Sequence, residues 1–213
     1  MSYYGFNFRA TSGFVTDGAG DSPVLGESYP TTYSNGVTAG FETGGDTVTT
    51  RDRNNSYNSH IAGSIYCSDN GGDALQQIFR IDLTTTGSYT LNLALGDESY
   101  AYASYLSVYD TSSLLSTLFN GYAGALNSFC DAAGNNYYPG PNWVAGNVPV
   151  SLTFSTTIAR FYIGNTTTQT PINYIGLTYT GVPPWSAAPT CDFSLFPRKI
   201  PFSQKYKQLI ISR

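Results

Sequence analysis

Apolar and polar residues alternate over short runs along most of this chain, and helical periodicity is almost absent. In ALQQIFRIDL, Phe79, Ile81 and Leu83 fall on one face, with Ile78, Arg80 and Asp82 on the other. SYTLNLALGD repeats the pattern with Tyr89, Leu91, Leu93 and Leu95. A period of two marks a strand with one buried face. The turn at Thr86-Gly87 between the two runs predicts an antiparallel hairpin in the centre of a sheet. Shorter runs predict further strands: GFNFRA with Phe6 and Phe8, GVTAGFET with Val37, Ala39 and Phe41, TVTTRDR, HIAGSIYC with Ile61, Gly63 and Ile65, and YLSVYD with Leu106 and Val108. SLLSTLF follows, then VPVSLTFS with Val148, Val150, Leu152 and Phe154 inward, IARFYIGN with Ala159, Phe161 and Ile163, and NYIGLTYTG with Ile175, Leu177 and Tyr179. The stretch after the first strand and residues 120–147 read as long excursions rich in turn residues. Eight or nine strands spaced by turns predict an all-β fold, a two-sheet antiparallel β-sandwich of the jelly-roll kind. An up-and-down barrel is the alternative. No internal repeat is visible, which argues against a propeller or a β-helix.

The pattern changes near Gly181. Residues 1–181 form the predicted sandwich, and residues 182–213 read as an extended C-terminal arm. Pro183, Pro184, Pro189, Pro197 and Pro201 keep that arm extended, because each fixes φ and removes a donor. It is nonetheless rich in side chains that favour burial. Trp185, Phe193, Phe196, Phe202 and Tyr206 alternate with Arg198, Lys199, Lys205 and Lys207, which suits an arm laid on a partner surface.

Charge sharpens this division. Residues 1–197 hold five bases against fourteen acids, 5 − 14 = −9, and residues 198–213 hold five bases and no acid. A basic arm on an acidic body points to an acidic partner or a second copy of the body, and five diluted bases argue against nucleic acid. Charged residues are only 11% of the chain, well below the usual share of about 25%, so Ser, Thr, Asn, Gly and Tyr must build the surface. Extracellular and virion β proteins share this composition. The opening MSYYGFNFRA has neither a basic segment nor an apolar one, so no secretory leader is expected, and no apolar run is long enough to span a membrane. Cys67, Cys130 and Cys191 are an odd set without a C-x-x-C spacing; free buried thiols are the first reading and one disulfide the second.

No catalytic constellation is present. His60 is the only histidine, and no G-x-S-x-G, H-E-x-x-H or P-loop occurs. Asp17 and Asp21, flanking Gly18-Ala19-Gly20, are candidate ligands for a structural calcium, with Glu27 as a third. Calcium needs six to eight oxygens, so a Gly-Asp turn is the simpler reading and no cofactor is expected. Arg51-Asp52-Arg53 either clamps a carboxylate or sugar, or ties loops by pairing with Asp82 or Glu42; the alternation weighs toward the second. The loop from Asn135 to Trp143 combines amides with aromatics. Asn136, Tyr137, Tyr138 and Trp143 are the candidate glycan-binding set, because flat rings stack on sugar faces while amides satisfy hydroxyls. The same mix serves a protein interface or a rigid cover over one end of the sandwich.

Several of these segments together resemble a known group. They are FNF in the first strand, Arg51-Asp52-Arg53 followed by Ile61-Ala62-Gly63, FRIDL, GSYTLNLALGD and the closing YIGLTYTG. The chain from about residue 5 to residue 181 resembles the galactose-binding-like jelly-roll domains. That group includes carbohydrate-binding modules, malectin-like domains, modules of rhamnogalacturonan acetylesterase-type enzymes and appendage domains of phage particles. The resemblance implies a jelly roll and a non-catalytic binding role, and no ligand residue is carried over from it. Combined with the arm, the expectation is a phage virion structural protein made in the host cytoplasm. It would be a capsid decoration or cement protein, or a fibre component, held to the major capsid protein or another virion protein and homo-oligomeric. The alternative is a carbohydrate-binding module or host-glycan adhesin whose partner is a surface glycan.

Overall fold

The computed structural model describes residues 2–10, 21–42, 48–52, 59–67, 76–140, 142–164 and 170–181. The chain divides into two compact units, Met1–Val182 and Pro183–Arg213. The second lies outside the described residues.

The body is a β-sandwich. Its strands are β1 (Tyr3–Phe8), β2 (Asp21–Val24), β3 (Thr31–Thr32), β4 (Thr38–Phe41), β5 (Val48–Asp52), β6 (Gly63–Cys67), β7 (Gln77–Asp82) and β8 (Gly87–Asp97). They continue with β9 (Tyr102–Asp110), β10 (Ser113–Gly124), β11 (Ser128–Cys130), β12 (Asn136–Tyr137), β13 (Val150–Phe154), β14 (Ile158–Ile163), β15 (Pro171–Ile172) and β16 (Tyr174–Tyr179). Two short helices, α1 (Ser59–Ala62) and α2 (Asn142–Gly146), interrupt them. One sheet has seven strands in the order β12-β11-β8-β16-β1-β2, with β13 also on β8. The facing sheet has six, β10-β9-β14-β7-β4-β3, and a small third sheet is β15-β6-β5. Pairing is antiparallel except between β1 and β2, which run parallel.

Alternation explains the core. Phe6 and Phe8 of β1, Leu91, Leu93 and Leu95 of β8, and Ile175 and Leu177 of β16 point inward from the seven-stranded sheet. Phe41, Phe79, Ile81, Val108 and Phe161 meet them from the other side. Phe79 is the hub, edge-on to Phe6, Phe8 and Phe41 at 5.3, 5.0 and 5.2 Å. Each such side chain contributes about 1.5–3 kcal/mol on burial.

The two best strand signals do not form the expected hairpin. β7 pairs with β14 and β4, while β8 pairs with β16, β11 and β13, so they lie in opposite sheets. Both edges of each strand are already filled. The Leu83–Thr86 connection therefore crosses the sandwich, and the apolar faces meet across the core rather than side by side. Alternation reports a buried face and is silent about which sheet carries it.

Three smaller expectations also change. Ser59–Ala62 is a helical turn, so Ile61 leaves the strand predicted with Ile65 and packs in a separate cluster. Val148 is 45% exposed, and its N–H is held by Asp131 at 2.6 Å before β13 begins. Residues 120–147 are no simple excursion: β10 runs on to Gly124, and β11 and β12 extend the seven-stranded sheet. β10 is an edge strand with three register shifts against β9, which accounts for its irregular alternation.

Candidate functional site

The outer face of the six-stranded sheet carries rows of aromatic and charged side chains. The positions that alternate with core residues point outward here: Tyr105, Ser107 and Tyr109 on β9, Arg160 and Tyr162 on β14, Arg80 and Asp82 on β7, all half-buried. Register sets Tyr109 opposite Arg160 and Ser107 opposite Tyr162. The diagonal pair Tyr109 and Tyr162 brings its rings to 4.3 Å, tilted by 45°. Cross-strand diagonals lie within reach of aromatic side chains.

Arg160 stands opposite Arg80, an arrangement that repels unless a carboxylate intervenes. Glu42 intervenes. It accepts Arg160 Nε–H at 2.6 Å and Nη2–H at 2.8 Å, a two-point fork, and Arg80 Nη1–H at 3.2 Å. The Arg160 hydrogen bonds, opposed by burial and aided by Arg80, hold the Glu42 carboxyl below the ordinary range. Arg80 Nε–H also donates to Asp82 at 2.8 Å, and its guanidinium lies 4.2 Å over the Tyr29 ring. Tyr29 in turn donates to Asp82 at 3.0 Å. Two guanidiniums and two carboxylates thus cancel, beside a paired aromatic patch, and every charged head is held in place.

The predicted glycan loop is built differently. Its organiser is Asp131, fully buried, which accepts the Asn135 N–H at 2.9 Å, the Asn135 side-chain amide at 3.0 Å, the Tyr137 hydroxyl at 2.7 Å and the Val148 N–H at 2.6 Å. Burial works to raise the Asp131 pKa, and these hydrogen bonds outweigh it and hold it low. Burial first, then Asp131, pushes Tyr137 up to about 12. Trp143 is only 2% exposed and donates its indole N–H to the Leu93 carbonyl at 3.2 Å. It packs with Ile61, Ala94, Phe129 and Tyr174 over the outer face of the seven-stranded sheet. This corrects the expectation of a stacking platform, since its ring faces no solvent. Asn136 and Tyr138 are exposed, Tyr138 by 67%. The loop is mainly a cover.

Other candidates also find places. Arg51 does not pair with Glu42 or Asp82; its guanidinium lies 4.5 Å over Tyr66 and 5.2 Å over Tyr100. Arg53 lies outside the described residues. Asp21 opens β2 with its carboxylate taken up by Tyr3 and His60, at 2.5 and 2.7 Å, and Glu27 accepts the Leu25 N–H at 2.7 Å and the Tyr33 hydroxyl at 3.2 Å. Asp17 lies outside the described residues, among which no three of His, Cys, Asp and Glu converge. Cys130 is a free buried thiol, raised in pKa by burial, 3.2 Å from the Tyr102 hydroxyl. Cys191 and the arm residues Trp185, Phe193, Phe196, Arg198, Lys199, Phe202, Lys205, Tyr206 and Lys207 lie outside the described residues.

Sequence reasoning missed Tyr109 and Tyr162, and it offered Glu42 to Arg51 and Arg53 where the structure pairs it with Arg160 and Arg80. The signal was present in the outward positions of YLSVYD and IARFYIGN, but only strand register brings those rows together.

No family model matches this chain, and no curated protein matches it. Solved structures similar to it include the carbohydrate-binding module CBM6cm-2 of Cellvibrio mixtus lichenase 5A in complex with cellotriose. That module is 10% identical, with 66% of this chain and 92% of that chain covered and a TM-score of 0.37. A CBM35 from Paenibacillus barcinonensis is 13% identical over 67% of this chain and 99% of that chain, with a TM-score of 0.34. The arabinose-bound arabinofuranosidase MgGH51 is 10% identical over 82% of this chain and 29% of that chain, with a TM-score of 0.42.

Proposed function

We propose that this chain is a non-catalytic glycan-binding module that receives a neutral polysaccharide across the outer face of its six-stranded sheet. The observation that carries the reading is the Tyr109–Tyr162 pair beside the Glu42–Arg160–Arg80–Asp82 network. Sugar rings offer apolar C–H faces, which stack on tyrosines, and equatorial hydroxyls, which need fixed donors and acceptors. This face supplies both, and it does so without net charge, which suits an uncharged chain. Because the network is already formed, binding requires little side-chain ordering. The virion reading rests on the arm and gains no support from the body.

Affinity electrophoresis through gels containing a soluble β-glucan, a xylan or polygalacturonate tests the proposal. Retardation by a neutral polysaccharide, abolished in the Tyr109→Ala/Tyr162→Ala double variant, is the expected result. Retardation by none of them, or retardation unchanged in the double variant, overturns it.

A further inference from the structure

An apolar stripe crosses the outer face of the six-stranded sheet and reaches beyond its two paired tyrosines. Register sets Leu114 of β10 opposite Tyr109, and Ile78 of β7 opposite Tyr162. With the Tyr109–Tyr162 ring contact in the middle, Leu114, Tyr109, Tyr162 and Ile78 form one diagonal over the neighbouring strands β10, β9, β14 and β7. At about 4.8 Å per strand the diagonal spans about 14 Å. A single apolar side chain on a surface needs no explanation, whereas a contiguous row beside fixed polar groups marks a place for a ligand.

Leu114 is the open end of this row. It is 54% exposed, and among the described residues no other large apolar side chain of this sheet is so exposed. Strand irregularity puts it there. β10 shifts register against β9 after Leu114 and again after Thr117. The skipped residues, Leu115 and Leu118, pack against the core, and Leu114 and Thr117 become successive outward positions. Bulges re-aim side chains in this way. Thr117 in turn faces Ser107 across the strands, and the Ser107 hydroxyl donates to Thr117 Oγ1 at 3.4 Å. Thr117 is exposed, and its own hydroxyl proton has no acceptor among the described residues. An aliphatic contact and an outward hydrogen-bond donor therefore stand side by side at one end of the aromatic pair.

We propose that the polysaccharide received on this face is O-acetylated, with an acetyl ester seated on Leu114 and Thr117. The inference rests on the reading of this face as a glycan site and names the substrate within it. A bare sugar presents hydroxyls, and a hydroxyl turned toward an aliphatic side chain loses water without gaining a partner. An acetyl ester removes that cost. Its methyl group suits Leu114, and its carbonyl oxygen accepts without donating, which matches the outward proton of Thr117. A deoxy sugar supplies the methyl group but no acceptor beside it. The ester is also uncharged, in keeping with the balanced Glu42–Arg160–Arg80–Asp82 network on the same face.

Affinity electrophoresis of the full chain tests this, through gels of a soluble β-glucan or a xylan, each compared after removal of its acetyl groups by mild alkali and after partial chemical O-acetylation. The acetylated form is expected to retard the chain about fourfold more strongly, the worth of one methyl group removed from water. Leu114→Ala and Thr117→Val are each expected to bring the two forms level, with retardation by the deacetylated polymer and the melting temperature unchanged. Equal retardation by the two forms, or a preference that survives in both variants, overturns this inference and leaves the neutral-polysaccharide reading in place. Retardation by neither form of either polymer overturns both.

Discussion

The two outer faces of this sandwich carry the same alternation and meet opposite fates. On the seven-stranded sheet the outward positions include Gly5, Ala94, Gly96 and Gly176, and a second layer containing Ile61, Phe129 and Trp143 packs close. On the six-stranded sheet the outward positions are Tyr105, Tyr109, Tyr162, Arg80 and Arg160, long side chains that reach solvent over their own stems. Small outward residues admit a covering layer; large amphipathic ones make a surface. The largest aromatic of the candidate loop, Trp143, therefore belongs to the interior, and Tyr162, from the middle of a strand, belongs to the exterior.

Trp143→Ala should break the covered face most severely. Loss of a buried tryptophan costs about 3–5 kcal/mol of stability, measurable by chemical denaturation, while polysaccharide retardation persists in the folded fraction. If a folded Trp143→Ala protein loses sugar binding, the roles of the two faces are reversed. Asp131→Asn comes next, at about 2–3 kcal/mol for lost charge-assisted hydrogen bonds. Its pH dependence has a definite sign. Burial raises the pKa values of Asp131 and Asp110, but their hydrogen bonds win, and both lie below the ordinary aspartate value. Their stabilisation is complete above the unfolded-state value of about 3.9 and disappears as pH falls through the lower folded values. Acid melts of the Asp131→Asn protein should consequently be flatter than those of the unaltered chain.

On the open face the expected effects are on binding. Tyr162→Ala should weaken polysaccharide affinity by about 2 kcal/mol, roughly 30-fold, with melting temperature almost unchanged. Glu42→Gln costs about 1 kcal/mol of stability, since its partners are partly solvated. It also leaves a net positive face, so retardation should shift toward polygalacturonate. Val148→Thr should be the mildest, within about 0.5 kcal/mol, because this exposed valine contributes a backbone N–H rather than its side chain.

The sequence by itself determined that this is a β-sandwich, and it determined which face is buried in the strands with the clearest alternation. Phe79 and Ile81, Leu91 and Leu93, and Phe161 and Ile163 all lie where alternation put them, because water exclusion acts on each strand locally. Tertiary structure alone decided three further matters. It set β7 and β8 in opposite sheets, since filled strand edges and not local pattern choose partners. It brought Glu42 to Arg160, across 118 positions, and Tyr109 to Tyr162, because register is a property of pairs of strands. It also sent Trp143 inward, because exposure of a loop aromatic depends on the space left over a neighbouring sheet, here over Ala94, and no stretch of chain encodes that space alone.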